Sequence, residues 1–278
     1  MQIIREINAL QKEVNGLRAG GGRIAFVPTM GALHAGHMAL VREAKRRAEH
    51  VVVSIFVNPT QFGPNEDLSA YPRREAEDAS MLEAEGCAIL WAPDVATMYP
   101  PGHATRIRVG GITEGLDGAA RPGHFDGVAT VVYTLFSQVR PDVALFGEKD
   151  YQQLAVVQRM ARDLLLPLDV VGVPTQRDAD GLALSSRNIY LSDEERVQAR
   201  TLPRVLVETA QAIREGRAVA EALDDARQNL AGAGFGPIDY VALCDAETLE
   251  PLTVLDRPAR LLAAAKLGKT RLIDNLAL

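Results

Sequence analysis

Cysteine is nearly absent from this chain. Its 278 residues include two, Cys87 and Cys244, far apart and outside any Cys-x-x-Cys pair or Cys/His cluster. A disulfide-stapled scaffold and a structural zinc site are therefore not expected; two reduced, buried thiols in a cytoplasmic protein are. Long apolar runs are missing too. No stretch approaches the roughly 18 residues that cross a bilayer, and Met1-Gln2-Ile3-Ile4-Arg5-Glu6 lacks the apolar segment of a secretory signal. No membrane partner is expected. Nor is there an excess of positive charge: 30 Lys and Arg face 36 Asp and Glu, for a net charge of −6. A broad nucleic-acid-binding face would be basic, so none is expected, although a local basic pocket for one nucleotide is compatible. Three familiar motifs also fail. Gly268-Lys269-Thr270 ends like a Walker A loop, but Ala263 stands where that loop needs glycine. Neither glycine cluster completes Gly-x-Gly-x-x-Gly, and no Gly-x-Ser-x-Gly elbow exists.

What is present reads as an α/β chain with a core for one large or two modest domains. Ile3, Ile7, Leu10, Val14 and Leu17 recur at helical spacing, predicting a helix over 2–18 that ends at Gly20-Gly21-Gly22. Strands are expected at 23–27, 51–57, 87–91, 142–146 and 168–173, with helices over 38–49, 73–85, 128–139 and 151–163 between them. Residues 99–127 read as loop with a short β piece near 105–109. Val51-Val52-Val53-Ser54-Ile55-Phe56 is apolar on both faces, as a sheet covered on both sides requires. The pattern predicts a Rossmann-like, mainly parallel sheet in a domain over 1–176. After that the character changes. Ser192-Asp193-Glu194-Glu195 looks like a capped helix start, two helices run to about 231, and strands follow near 238–243, 259–266 and 270–274. These make a second, smaller α+β C-terminal domain over 177–278.

Four segments carry the chemistry. Pro28-Thr29-Met30-Gly31-Ala32-Leu33-His34-Ala35-Gly36-His37 places two histidines where a strand turns into a helix. A helix N-terminus offers unpaired N–H groups and the positive end of the dipole, so it suits phosphate, and imidazoles there can donate to phosphate oxygens. A His-His metal pair is the competing reading, but no third ligand is evident. Asn58-Pro59-Thr60-Gln61-Phe62 ends the second strand, at the end of a parallel sheet where ligands bind. Gln61 brings a neutral amide that can donate and accept. Gly147-Glu148-Lys149-Asp150-Tyr151-Gln152-Gln153 follows another strand; Lys149 offers a point charge for phosphate, and Asp150 could cap the next helix or hold a ribose hydroxyl. Leu184-Ser185-Ser186-Arg187-Asn188 sets two hydroxyls beside a permanently charged guanidinium, a compact anion clamp. Taken singly, these segments also read as an Asn-Pro turn, a capped helix start and a polar linker.

Together, in this order, the four segments and Asp180-Gly181-Leu182-Ala183 before the last resemble the HIGH-type nucleotidyltransferase superfamily and, within it, the pantothenate synthetase (pantoate–β-alanine ligase) family, over nearly the whole length. That resemblance implies an ATP-dependent, AMP-forming ligase that condenses (R)-pantoate with β-alanine through a pantoyl adenylate, releasing pyrophosphate. It implies that Met30, Gly31, Ala32, Leu33, His34, Ala35, Gly36 and His37 bind ATP. Gly147, Glu148, Lys149, Asp150, Leu184, Ser185, Ser186 and Arg187 join them. His34, His37, Lys149 and Arg187 are the implied catalytic set, with His37 as proton donor. Gln61 and Gln153 would hold pantoate, Gln61 also borders β-alanine, and Asn58 lines the same site. Gln176 occupies a position expected to meet adenine through its backbone, where an apolar residue is expected. Tyr71, Asp78 and Arg121 match positions lining the site or its mobile wall. ATP would come with Mg²⁺ but no protein metal site, and the family implies a homodimer. Another HIGH-type adenylyltransferase, acting on a small acid or cofactor precursor, is the alternative. A regulatory nucleotide-binding module is disfavoured because both histidines, Lys149 and Arg187 are all present.

Overall fold

A computed structural model describes residues 1–64 and 66–278. Six parallel strands form the larger sheet: β1 (Gln2–Ile4), β2 (Ile24–Thr29), β3 (His50–Ile55), β4 (Ile89–Trp91), β5 (Val143–Gly147) and β6 (Asp169–Val173), in the order β1-β4-β3-β2-β5-β6. Helices α1 (Ile7–Ala19), α2 (Ala35–Arg47), α3 (Glu75–Ala84), α6 (His124–Val139) and α7 (Tyr151–Asp163) lie between successive strands, with short α4 (Val95–Met98) and α5 (Asp117–Ala120). Ile24 to Val27 and Val51 to Val53 are buried on both faces, which is why these segments read as unbroken apolar runs. From β2 the chain winds outward through β3 and β4 on one side and through β5 and β6 on the other. The switch point therefore lies between β2 and β5, where loops leave neighbouring strands in opposite directions and open a crevice.

The smaller part begins after β6. Helix α8 (Asp193–Ala199) leads into α9 (Thr201–Arg214) and α10 (Val219–Gly232), which pack on an antiparallel sheet of β7 (Phe235–Asp245), β8 (Ala259–Leu267) and β9 (Thr270–Ala277). Leu202, Leu206, Leu230, Leu243 and Leu261 belong to an apolar cluster of this part alone. Another cluster crosses the seam, packing Cys244, Leu249 and Leu262 with residues of α6 and α7.

Four expectations about elements are corrected. The helix over 2–18 starts only at Ile7, because residues 2–4 pair in parallel with Ile89–Trp91 and gain ladder hydrogen bonds that a frayed helix end would lack. The β piece at 105–109 is no strand. It runs along α6 with the Ile107 N–H donating to Thr130 Oγ1 (2.9 Å), and among the described residues no strand pairs with it. The helix expected from 128 begins at His124. Three helices, not two, occupy 193–232: Pro203 has no N–H for the Ala199 carbonyl and its ring crowds that turn, so α8 ends there. The expected cap at Ser192 forms, its Oγ accepting the Glu195 N–H (3.2 Å) while Glu195 accepts the Ser192 N–H (2.9 Å).

Candidate active site

The β2–α2 turn is held from outside. The Asp78 carboxylate accepts the N–H groups of Ala32 (2.9 Å) and Leu33 (2.8 Å), and Thr29 Oγ1 accepts that of Gly31 (3.1 Å). Gly31 and Ala32 both have positive φ (83° and 51°), so the carboxylate stabilises backbone that Ala32 adopts at a cost. Burial raises the Asp78 pKa, with the two backbone N–H groups opposing it. His34 is the N-cap of α2. Its Nδ1 accepts the Gly36 N–H (3.1 Å), and Nδ1 of His37 accepts the His34 N–H (3.3 Å). The pair is a capping box in which both partners are histidines, their ring centroids 4.1 Å apart. A Cβ on residue 36 would sit 2.8 Å from His34 Cε1, so glycine is what lets the ring fold over the helix end.

These bonds fix the tautomer. With both Nδ1 atoms accepting, each neutral ring carries its proton on Nε2 and keeps that N–H as a donor. The neutral state is enforced by the surroundings: burial, then repulsion from any proton on His34 and from the Lys149 charge, push the His37 pKa down to about 3, and burial with Lys149 lowers that of His34.

Across the switch point, Gly147 leads into a 3₁₀ turn at Glu148–Asp150 and then α7. Asn275 of β9 grips this turn from the C-terminal sheet, donating from Nδ2 to the carbonyls of Glu148 and Lys149 (2.9 Å each). The Glu148 carboxylate is turned to that sheet as well, pairing with Arg260 (2.9 Å), which lies 4.0 Å over the Tyr151 ring. Lys149 Nζ lies 3.9 Å from Asp150, whose side chain makes no cap bond. The adjacent glutamines divide. Gln152 is buried, accepting the Asp117 N–H (2.9 Å) and donating to the carbonyls of Ile112 (2.9 Å) and Gly115 (3.0 Å), whereas Gln153 lines the cleft.

The remaining walls come from loops. Asn58 is 1% exposed and makes its side-chain bonds within the protein. Its Oδ1 accepts from Tyr99 Oη (2.7 Å) and Thr60, and its Nδ2 donates to Gln61 Oε1 (3.0 Å) and the Gly127 carbonyl (3.2 Å). Asn58 thus aims Gln61 and pins its oxygen. The Gln61 Nε2, 3.3 Å from the Met30 sulfur, remains the donor end. Opposite, Arg187 makes a two-point pair with Asp67 (3.1 and 3.0 Å), Tyr71 Oη bonds Ser186 Oγ (3.2 Å), and Ser185 caps the turn by accepting the Arg187 N–H (3.3 Å). Gln176 is exposed; its amide turns back to the Pro174 carbonyl (2.9 Å) and its own carbonyl accepts the Leu184 N–H (2.9 Å), which explains how a polar residue is tolerated there.

An inner cavity of about 210 Å³ adjoins a wider cleft of about 1040 Å³. Met30, Gln61, Lys149, Asp150, Gln153, Ser185 and Arg187 line both, so the two are continuous. His34, Gly36, His37, Asn58, Gly147, Gln176, Leu184 and Ser186 line the inner part with Phe56, Val128, Val131 and Phe146. Gly31, Ala32, Leu33, Ala35 and Glu148, expected at the nucleotide, do not line it; they shape the turns that do. Sequence reasoning missed the supports: Tyr99, His124, Glu66, Asp67, Arg260 and Asn275. Each acts through a partner remote in sequence, so no local pattern marks it.

The model of the family described as pantoate-beta-alanine ligase matches residues 2–277. The pantothenate synthetase of Rhizorhabdus wittichii is 68% identical over 277 residues, covering 100% of this chain and 98% of that one. A pantothenate synthetase from Thermus thermophilus superposes with a TM-score of 0.94 at 49% identity, covering 99% of each chain. A pantoate-beta-alanine ligase from Francisella tularensis, solved in complex with beta-gamma ATP and beta-alanine, gives 0.84 at 33% identity over 99% of this chain and 97% of that one. Sequence, fold and cleft therefore agree, and the chain belongs to the pantoate-beta-alanine ligase family.

Proposed function

We propose that this cleft joins pantoate to β-alanine at the expense of ATP, giving pantothenate, AMP and pyrophosphate through a pantoyl adenylate. The observation that carries this reading is the convergence of four segments, around residues 34, 61, 149 and 187, on one cavity at the switch point of the parallel sheet. Beta-gamma ATP and β-alanine are the molecules held by the Francisella tularensis relative.

Pantoate's carboxylate is ionised at pH 7, so its attack on the α-phosphate needs no general base; the obstacle is repulsion between anions. His34 and His37 present Nε2–H donors, the α2 N-terminus adds its dipole, and Lys149 and Arg187 add charge. Burial and Lys149 keep both rings neutral, so at neutral pH they act first as hydrogen-bond donors. A bound triphosphate brings negative charge that raises their pKa values, which makes the expected proton donation from His37 a property of the nucleotide complex. The Gln61 amide N–H group and Gln153 suit the oxygens of pantoate, and Phe56, Val128 and Val131 suit its two methyl groups. Asn58 serves by aiming Gln61. Arg187 must exchange Asp67 for phosphate oxygens. Among the described residues no group of three or more His, Cys, Asp or Glu side chains is placed to hold a metal. Mg²⁺ bound chiefly by phosphate needs a single carboxylate, and Asp150, in the wall between the two cavities, fits that role; the ion would supply charge neutralisation.

The adenylate is a mixed anhydride that water destroys, so exclusion of solvent matters. We assign nucleotide and pantoate binding to a domain over 1–176 and closure over the site to 177–278. The separate apolar cluster of the C-terminal part supports this division, and the grip of Asn275 on the Lys149 turn brings that part to the edge of the site. β-Alanine enters through the wider cleft. The family resemblance supports a homodimer, and two buried, unpaired thiols support a cytoplasmic location. Pyrophosphate exchange into ATP tests the mechanism. It should require pantoate and proceed without β-alanine; its absence in folded protein would sink the adenylate.

A further inference from the structure

Gln61 is held at its side chain by Asn58, but its backbone is held by a second set of residues, which line the wider cleft and not the inner cavity. His124, 8% exposed, opens α6 and donates from Nδ1 to the Gln61 carbonyl (2.8 Å). Its other nitrogen, Nε2, accepts from Arg121 NH1 (2.9 Å). Arg121 in turn makes a two-point pair with Glu66 (2.7 and 2.6 Å), which belongs to the loop after the Gln61 turn. The ring has one donor and one acceptor duty, which only neutral imidazole protonated on Nδ1 can meet. The surroundings hold it neutral: burial, with the Arg121 charge, pushes its pKa down to about 4, against the opposing pull of the Gln61 carbonyl, Asp117 and Glu66. The helix start is pressed against the same turn, since a Cβ on Gly127 would come within 2.8 Å of Gln61 Cα. A polar path, buried at its inner end, therefore runs from an outer loop to the backbone of a residue that borders both the inner cavity and the wider cleft.

We propose that His124 is a positioning residue for Gln61, with Arg121 and Glu66 fixing its tautomer and orientation. The bond to the Gln61 carbonyl sets where the Nε2–H group of Gln61 stands in the cavity. His124 lines the wider cleft but not the inner cavity, so it acts on pantoate through Gln61, while the nucleotide is held by His34, His37, Lys149 and Arg187 on other elements. The inference rests on Gln61 holding pantoate as proposed above.

The test is pantoate-dependent pyrophosphate exchange by the full chain, with KM measured separately for pantoate and ATP. His124→Phe replaces the imidazole with a somewhat larger apolar ring and loses both bonds; pantoate KM should rise tenfold or more, with ATP KM unchanged within twofold. His124→Asn can place an amide N–H where Nδ1–H stood, and should recover most of the loss. Arg121→Met leaves the buried ring in place but frees it to turn; pantoate KM should rise several-fold even if His124→Phe fails to fold. Gln61→Ala is the reference. If Gln61→Ala leaves pantoate KM unchanged, the pantoate assignment itself is wrong. If it raises pantoate KM but the His124 and Arg121 variants do not, or if they raise the KM of ATP equally, the positioning role is overturned. His124→Asn behaving no better than a folded His124→Phe would overturn it as well.

Discussion

The two histidines of the α2 cap show how a motif legible in sequence acquires its chemistry only from geometry. Spacing His34 and His37 three apart at a strand–helix turn is enough to expect phosphate. It cannot reveal that each Nδ1 is already occupied by a backbone N–H, which dictates what the ring can offer. The cost of that arrangement should be measurable. His37 has its pKa lowered to about 3, while in the unfolded chain it titrates near the ordinary value of about 6.5. Between those values the unfolded chain binds the extra proton, so His37 subtracts stability progressively as pH falls from about 6.5 toward 3. From pH 6.5 to pH 5 the upper limit is about 2 kcal/mol, reduced because the ring lies at a solvent-accessible cavity. Urea unfolding of wild type and His37→Gln at both pH values should show the variant losing less stability on acidification. Equal losses would mean that the ring is not held neutral. Gln61 teaches the same lesson: its position after the second strand is readable, but which end of its amide faces the cavity depends on Asn58 and Tyr99, the latter far along the chain.

Among the elements, some specified by local signals lie where the sequence puts them. Helix α7 spans 151–163 as its periodicity predicts, and the Ser192–Glu195 box starts α8. Two of the misses are segments whose fate depends on neighbours, whereas the break between α8 and α9 follows from Pro203, a local signal that helical periodicity does not register. Residues 2–4 form β1 because β4 leaves an edge open, and 105–109 forms no strand because nothing described offers one. The β2–α2 connection also depends on a distant partner: Asp78, in α3, supplies the carboxylate that holds Ala32 and Leu33. Asp78→Asn keeps the shape but turns one acceptor into a donor facing an N–H. That change should cost about 1–3 kcal/mol of stability and raise the KM of ATP several-fold in the exchange assay, more than that of pantoate. A variant with ATP KM unchanged would show that the turn holds its own conformation without α3.

Over the whole molecule, the switch point between β2 and β5 brings the histidine turn and the Lys149 turn side by side, while the C-terminal sheet fastens on the latter through Asn275 and Arg260. The sequence discloses the change of character near residue 176 but not this fastening, because each contact joins residues remote from one another in the chain. The scarcity of cysteine now has a use. Burial raises both thiols to about 11, so at pH 7 only about one in ten thousand is the reactive thiolate, and neither is reachable until something opens. Cys87 packs inside the parallel sheet's own core, whereas Cys244 packs in the cluster that crosses the seam between the two parts. Alkylation followed by mass spectrometry therefore reads two separate openings in one sample. ATP with pantoate should slow modification of Cys244 more than that of Cys87; equal protection would mean that the seam and the sheet open together. Two thiols too inert for chemistry thus become paired clocks, one timing the unravelling of the sheet and one the parting of the seam.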